Sequence, residues 1–198
     1  MNFLAHLTLS YFDTDLQAGN FLGDFVKGKA VEELPPGVRR GIDMHRAIDA
    51  MTDTDPGVKE LGRLLSTRHG RYAGVITDIG FDHFLCLNWE RFGPLEFDAF
   101  RVGSYWALHA RREAMSKRVQ GYIEGMLNHD WLTLYQSREG MSHVFGRLRP
   151  RLSKPELLDG VNESLTDFHD EFNQTFCALF PRLQTLADAY RPHPTRPD

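Results

Sequence analysis

Apolar residues recur at three- and four-residue spacing along almost the whole chain, the period of helices with one face in a core. Over residues 2–12, Phe3, Leu4, Leu7 and Tyr11 fall on one side and predict a short first helix. Asp15 is placed to cap a second helix running to about Lys27, where Gly28 ends it. Pro35–Pro36 belongs to a connection or to the first turn of a third helix over roughly 37–53. The run Asp53-Thr54-Asp55-Pro56-Gly57 reads as a turn with Pro56 at the next helix's first position, and a short helix follows over 57–67. Residues 71–91 are apolar nearly all round, which predicts a long helix at the centre of the fold, broken by Gly93–Pro94. Further helices are predicted over 95–113, 115–128 and 138–148, then a long one from Pro155 to about Ala189. The alternation of a strand is missing, as is any repeat or linker. The pattern predicts one all-α domain over 1–190, a helical bundle, with a frayed proline-rich tail at 191–198.

A chain of 198 residues is long enough to bury a substantial single core. A net charge of −4 offers no global attraction to nucleic acid, so any acidic partner must be met by a local patch. Arg39–Arg40, Arg111–Arg112, Lys117–Arg118 and Arg147–Arg149–Arg151 are the basic clusters; most such clusters are ordinary solvated helix faces. Cys86 and Cys177 stand in apolar contexts without paired spacing, which fits reduced, buried thiols rather than a thiolate metal site. The apolar start is short, holds His6 and lacks a basic leader, and no window reaches the ~20 apolar residues of a membrane span. A cytoplasmic protein with no membrane or nucleic-acid partner is expected.

Several acids and histidines interrupt the apolar stretches. His6 lies in NFLAHL, Asp24 in FLGDFV, His45 and Asp49 in IDMHRAID, and Asp78, Asp82 and His83 in VITDIGFDHFL. A buried carboxylate or imidazole is costly unless something pairs with it. Spacing gathers them into stripes: Asp78 and Asp82 are four apart, as are His45, Asp49 and Asp53, and Asn20 and Asp24, with Lys27 seven from Asn20. Inward stripes on facing helices are how bundles build metal sites. Carboxylate and imidazole without thiolate favour Mn²⁺, Mg²⁺ or Fe²⁺ over structural zinc. Such an ion suits phosphate-ester hydrolysis. Arg46 and Lys27 can bind phosphate oxygens beside it. Plainer readings stand next to these. Arg46 can pair with Asp43 or Asp49, His6 can be a satisfied core histidine, Asp24 a helix-pairing acid, and Asp53 part of a turn or a helix cap. His69, His109, His129, His143, His169 and His193 have no comparable company.

MNFLAHL, GNFLGDFVKG, PPGVRRGIDMHRAIDAMTD and ITDIGFDHFL, in that order across about the first ninety residues, resemble the acyl carrier protein phosphodiesterase (holo-ACP hydrolase) family. The likeness continues more loosely to the FxxxFPRL segment, Phe176 to Leu183. The resemblance implies an HD-like helical fold, related to the HD phosphohydrolases. It implies hydrolysis of the phosphodiester joining 4′-phosphopantetheine to a serine of acyl carrier protein, with a divalent metal, Mn²⁺ favoured. It makes Asp24 a metal-site residue and places His6, His45, Asp78, Asp82 and His83 on other motif positions. Asp24, Lys27, Arg46 and Asp49 are then the residues expected to act on the phosphodiester or its water. The adjacent pair reads Asp82-His83, the reverse of the HD order. Acyl carrier proteins are acidic, so holo-carrier is the expected partner and Arg39 and Arg40 its expected docking residues. Two rivals share parts of this reading: an HD-type phosphohydrolase acting on a nucleotide or other small phosphoester, and a non-catalytic carrier-binding module.

Overall fold

The computed structural model describes residues 1–191, and among them eleven α-helices and no strand. They are α1 Phe3–Leu9, α2 Thr14–Leu22, α3 Pro36–Thr54, α4 Pro56–His69, α5 Ala73–Leu87, α6 Trp89–Phe92, α7 Phe97–Ala110, α8 Lys117–Asn128, α9 Arg138–Leu148, α10 Val161–Asp167 and α11 His169–Asp188. The all-α expectation is met. The tail expected to fray falls, from residue 192 on, outside the described residues.

The core lies around α5, which packs on α1, α4 and α11. Ile76, Ile79, Phe81, Phe84 and Leu85 are buried on it. Phe84 stacks on Phe172 of α11 at 5.1 Å between ring centroids, and Phe81 meets Phe172 edge-on at 6.1 Å. Such offset and edge-on pairs add to burial the favourable geometry of ring quadrupoles.

Helices α2 and α3 pack most closely of all. A side chain on Gly19 would collide with the Val38 carbonyl, and one on Gly41 with the Leu16 carbonyl, so the two backbones touch at this crossing. The glycines of GNFLGD and RRGID are therefore packing residues first. Between α2 and α5 runs α1, six of whose seven residues are buried.

Several boundaries differ from the sequence pattern. Asp13, not Asp15, caps α2, accepting from the backbone N–H groups of Asp15 and Leu16 at 2.9 Å. Asp15 pairs instead with Arg111. The helix ends at Leu22 rather than at Lys27. Asp55, not Asp53, caps α4 and also pairs with Arg182 of α11 at 2.6 Å. The long 71–91 helix is interrupted at Asn88, whose amide donates back to the Phe84 carbonyl and across to Asn173, each at 2.8 Å. The helix predicted from Pro155 to Ala189 is three pieces. Gly160 sits at φ +73°, a left-handed turn that no right-handed helix continues through. The short α10 is then tied to α4 by Ser164, which meets His69 Nε2 at 2.8 Å.

Candidate metal centre

Helix α1 brings His6 to the site, and α5 holds α1 there. Asn2 gives no side-chain cap to α1. Asp82 supplies it across the core, accepting from the backbone N–H of Leu4 at 2.8 Å and of Ala5 at 3.0 Å. A carboxylate at a helix N-terminus satisfies orphan donors and faces the positive end of the macrodipole. His6, one turn on, then stacks on His45 of α3 with ring centroids 4.2 Å apart. A Cβ on Gly23 would run into the His45 ring, so the glycine before Asp24 leaves room for the imidazole.

Asn20 of α2 orients both rings. Its Nδ2 donates to the His6 carbonyl at 2.8 Å, which fixes Oδ1 as the acceptor for His6 Nδ1 at 2.7 Å. Its backbone carbonyl accepts from His45 Nδ1 at 2.8 Å. Both imidazoles therefore carry their Nδ1 proton, and both Nε2 atoms turn toward Asp49. His6 Nε2 lies 3.2 Å from Asp49 Oδ1 and His45 Nε2 3.1 Å from Oδ2; Asp24 Oδ1 is 3.6 Å from His45 Nε2.

Electrostatics follow from this crowding. Burial lowers the His6 pKa, against the pull of Asp49. On His45 burial works in the same direction, but hydrogen bonding and charge from Asp49, with the charge of Asp24, outweigh it and the pKa is raised. Burial would raise Asp49, yet the two histidines hold it well below the usual carboxylate range. Asp49 is thus ionised at any physiological pH.

The other expected residues fall in three places. Lys27 and Arg46, both exposed, line the same surface depression as Asp24, His45 and Asp49. Arg46 lies 3.4 Å from Asp43, the plainer of its two readings. Asp78 holds the Met1 amino group at 2.8 Å, and that group lies 3.8 Å from Asp49. It therefore borders the cluster without touching the imidazoles. Asp82 and His83 are corrections to the expected ligand set. Both Asp82 oxygens are committed to α1, and burial pushes its pKa up to about 7. His83 points elsewhere: its Nδ1 bonds the Tyr135 carbonyl at 2.6 Å, and its ring lines a different cavity with Arg138 and His169. His69, without site company in the sequence, is a core histidine with both nitrogens bonded.

The model of one family, described as acyl carrier protein phosphodiesterase, matches residues 1–183. The chain belongs to that family. Relatives named acyl carrier protein phosphodiesterase from Escherichia coli O139:H28 (strain E24377A / ETEC) and from Escherichia coli (strain K12 / DH10B) are each 31% identical over 196 residues, covering 94% of this chain and 97% of theirs. No solved structure matches.

In this acyl carrier protein phosphodiesterase family member, ligand atoms of His6, His45 and Asp49 lie within 4.8 Å of one another. The donor set fits a divalent ion. His6 Nε2 is buried with no hydrogen bond of good geometry, although the Asp49 oxygen is near. Lone pairs of two imidazoles and a carboxylate converging in this way repel unless a cation lies among them. A proton on His45 Nε2 and a metal ion would compete for one lone pair. Asn20, which sequence reading placed only as a member of a polar stripe, is the group that fixes both rings. Its signal was faint: one amide four residues before Asp24, in a stretch otherwise apolar.

Proposed function

We propose that this protein hydrolyses the phosphodiester between 4′-phosphopantetheine and a serine of acyl carrier protein, in the cytoplasm, releasing apo-carrier and phosphopantetheine. The observation that carries the reading is the His6–His45–Asp49 cluster, oriented by Asn20, in a chain of the acyl carrier protein phosphodiesterase family. The proposal includes a divalent ion, Mn²⁺ by preference, held by His6, His45 and Asp49 with Asp24 beside them. When bound, such an ion polarises a phosphoryl oxygen and acidifies water.

The chain's own residues do the rest. Asn20 holds both Nε2 atoms toward the site and keeps each ring in one tautomer. Asp49, held ionised by the two histidines, would supply the anionic oxygen of the set. Lys27 and Arg46 stand at the rim of the depression, where positive charge neutralises the non-bridging oxygens as attack proceeds. Arg46 reaches them by leaving Asp43, a pair with both partners more than half exposed and so weakly held.

The carrier docks through a local basic surface. Arg39 is half-buried on the first turn of α3. Arg40 is engaged within the chain, donating to the Tyr190 carbonyl at 2.8 Å, so Arg39 bears more of the docking role than the sequence pair suggested.

The test is release of phosphopantetheine from holo-carrier with and without Mn²⁺, beside a panel of nucleotides. Wild type is expected to cut holo-carrier in Mn²⁺ and leave the nucleotides intact. Asp24→Ala is expected to lose nearly all hydrolysis while keeping its circular dichroism and carrier binding. Full activity in Asp24→Ala, or a nucleotide cut faster than holo-carrier, would overturn the reading.

A further inference from the structure

A second cavity of about 300 Å³ opens beside the metal centre. Phe3, Ile79, Tyr122, Trp131, Val144 and Leu148 give it an apolar, aromatic wall. Asp24 lines this cavity and also the depression over His45 and Asp49, so the two spaces adjoin at Asp24. Arg147 and Arg151 stand in the same wall, Arg147 Cζ 3.6 Å from the Trp131 ring centroid and Arg151 Cζ 5.9 Å from that of Tyr122. Among the described residues no carboxylate pairs with either guanidinium. Trp131 Nε1 is buried and has no hydrogen-bond partner. That N–H is covered, so what Trp131 gives the cavity is its ring.

These features restrict what fits. The ligand must present apolar surface along its length. It must bear negative charge toward the arginines and end at Asp24. A pantetheine arm meets each condition: a gem-dimethyl group, two amides, a thioethyl end and a phosphate where it joins the carrier. We propose that this cavity receives the pantetheine arm of the substrate. Its phosphate lies at the Asp24 end, its amides pass Trp131, and its thiol end lies within the aromatic wall. The proposal rests on the function inferred above and adds to it the residues that read the arm. Trp131 is a binding residue here, and Val144 and Leu148 set the space available.

Titration of the full chain in Mg²⁺ with pantetheine, which lacks the phosphate, tests this directly. The protein has three tryptophans, and their indole N–H signals are resolvable by nitrogen–proton correlation, with Trp131→Phe assigning one. Trp89 Nε1 already bonds the Leu95 carbonyl and Trp106 is exposed, so both serve as internal controls. The Trp131 signal is expected to move as the arm packs against its ring, while the other two stay. Val144→Trp, which fills the cavity, is expected to weaken pantetheine binding at least about tenfold at an unchanged melting temperature. If that variant does not fold, Leu148→Trp replaces it, and the wild-type titration stands alone. A Trp131 signal that stays put through millimolar pantetheine, or a filled variant that binds it as tightly as wild type, would overturn the proposal. Pantetheine binding without cleavage of holo-carrier would overturn the enzymatic reading and support the cavity's; cleavage with an unmoved Trp131 signal would do the reverse.

Discussion

Asn20 touches both imidazoles of the metal centre, one through its side chain and one through its backbone carbonyl. The two contacts respond differently to substitution. Asn20→Ala removes the acceptor for His6 Nδ1 and the donor to the His6 carbonyl, and leaves the His45 contact in place. The prediction is a drop of about 10–100-fold in metal affinity, the usual cost of removing a group that orients a metal-ligating histidine. Calorimetric titration of Mn²⁺ into each protein measures it, and equal affinities would remove Asn20 from the centre. At this scale the sequence was legible in that His6, His45 and Asp49 meet, because charged or imidazole side chains in apolar helices must meet something; Asp24, past the end of α2 and half exposed, stands at the edge of that group. It misled at Asp82 and His83 for the same reason. Both are satisfied, but by backbone: α1 takes Asp82 and the Tyr135 carbonyl takes His83. Spacing shows which side chains share a helix face, not whether a peptide group from elsewhere reaches them.

At the scale of elements, the centre depends on how α1, α2 and α3 are held. Gly41→Ala would push a methyl into the Leu16 carbonyl and force α2 from α3, an overpacking expected to cost about 1–3 kcal/mol. Gly23→Ala meets a side chain instead, the His45 ring. It should lower kcat/KM for holo-carrier more than it lowers urea stability, and Gly41→Ala the other way round; the same ranking in both assays would refute the distinction. The Asp82 cap gives a pH prediction. Its carboxyl has an ordinary value of 3.8 and is raised by burial to about 7 in the fold. Between those values the native state keeps a proton that the unfolded chain has lost, so this residue makes stability fall as pH rises through the window and adds no further slope above it. Asp82→Asn lacks the proton and should show a shallower fall from pH 3.8 to about 7 in urea unfolding, whereas parallel curves would rule the mechanism out. The helices themselves were mostly legible from period and from Gly or Pro stops. The pattern failed at Asn88 and Phe168, where neither residue is a helix breaker. There the chain turns because a side chain folds back on Phe84, and because α10 is drawn onto α4 through Ser164.

On the scale of the whole molecule, the substrate reading asks an acidic protein to receive another acidic protein. The chain carries 27 acidic and 23 basic side chains, so long-range attraction is weak and docking depends on where the basic ones stand. Arg40 was half of the docking pair proposed from the sequence, but its guanidinium ties α3 to the Tyr190 carbonyl beyond the end of α11. Reversing its charge would disturb that tie as well as any docking, so Arg40→Glu confounds two effects. Arg39→Glu separates them. It removes a positive charge from the first turn of α3, the helix that also carries His45 and Asp49, without touching the Tyr190 contact. The expected outcome is a KM for holo-carrier raised several-fold at low salt, converging on wild type as salt screens the field over about 10 Å at 0.1 M. Mn²⁺ affinity and the melting temperature should not change, because Arg39 stands outside the cluster. A KM equal to wild type at every salt concentration would move the docking surface off this face. The next place to look would then be Arg147 and Arg151, which already stand in the wall of the cavity beside Asp24.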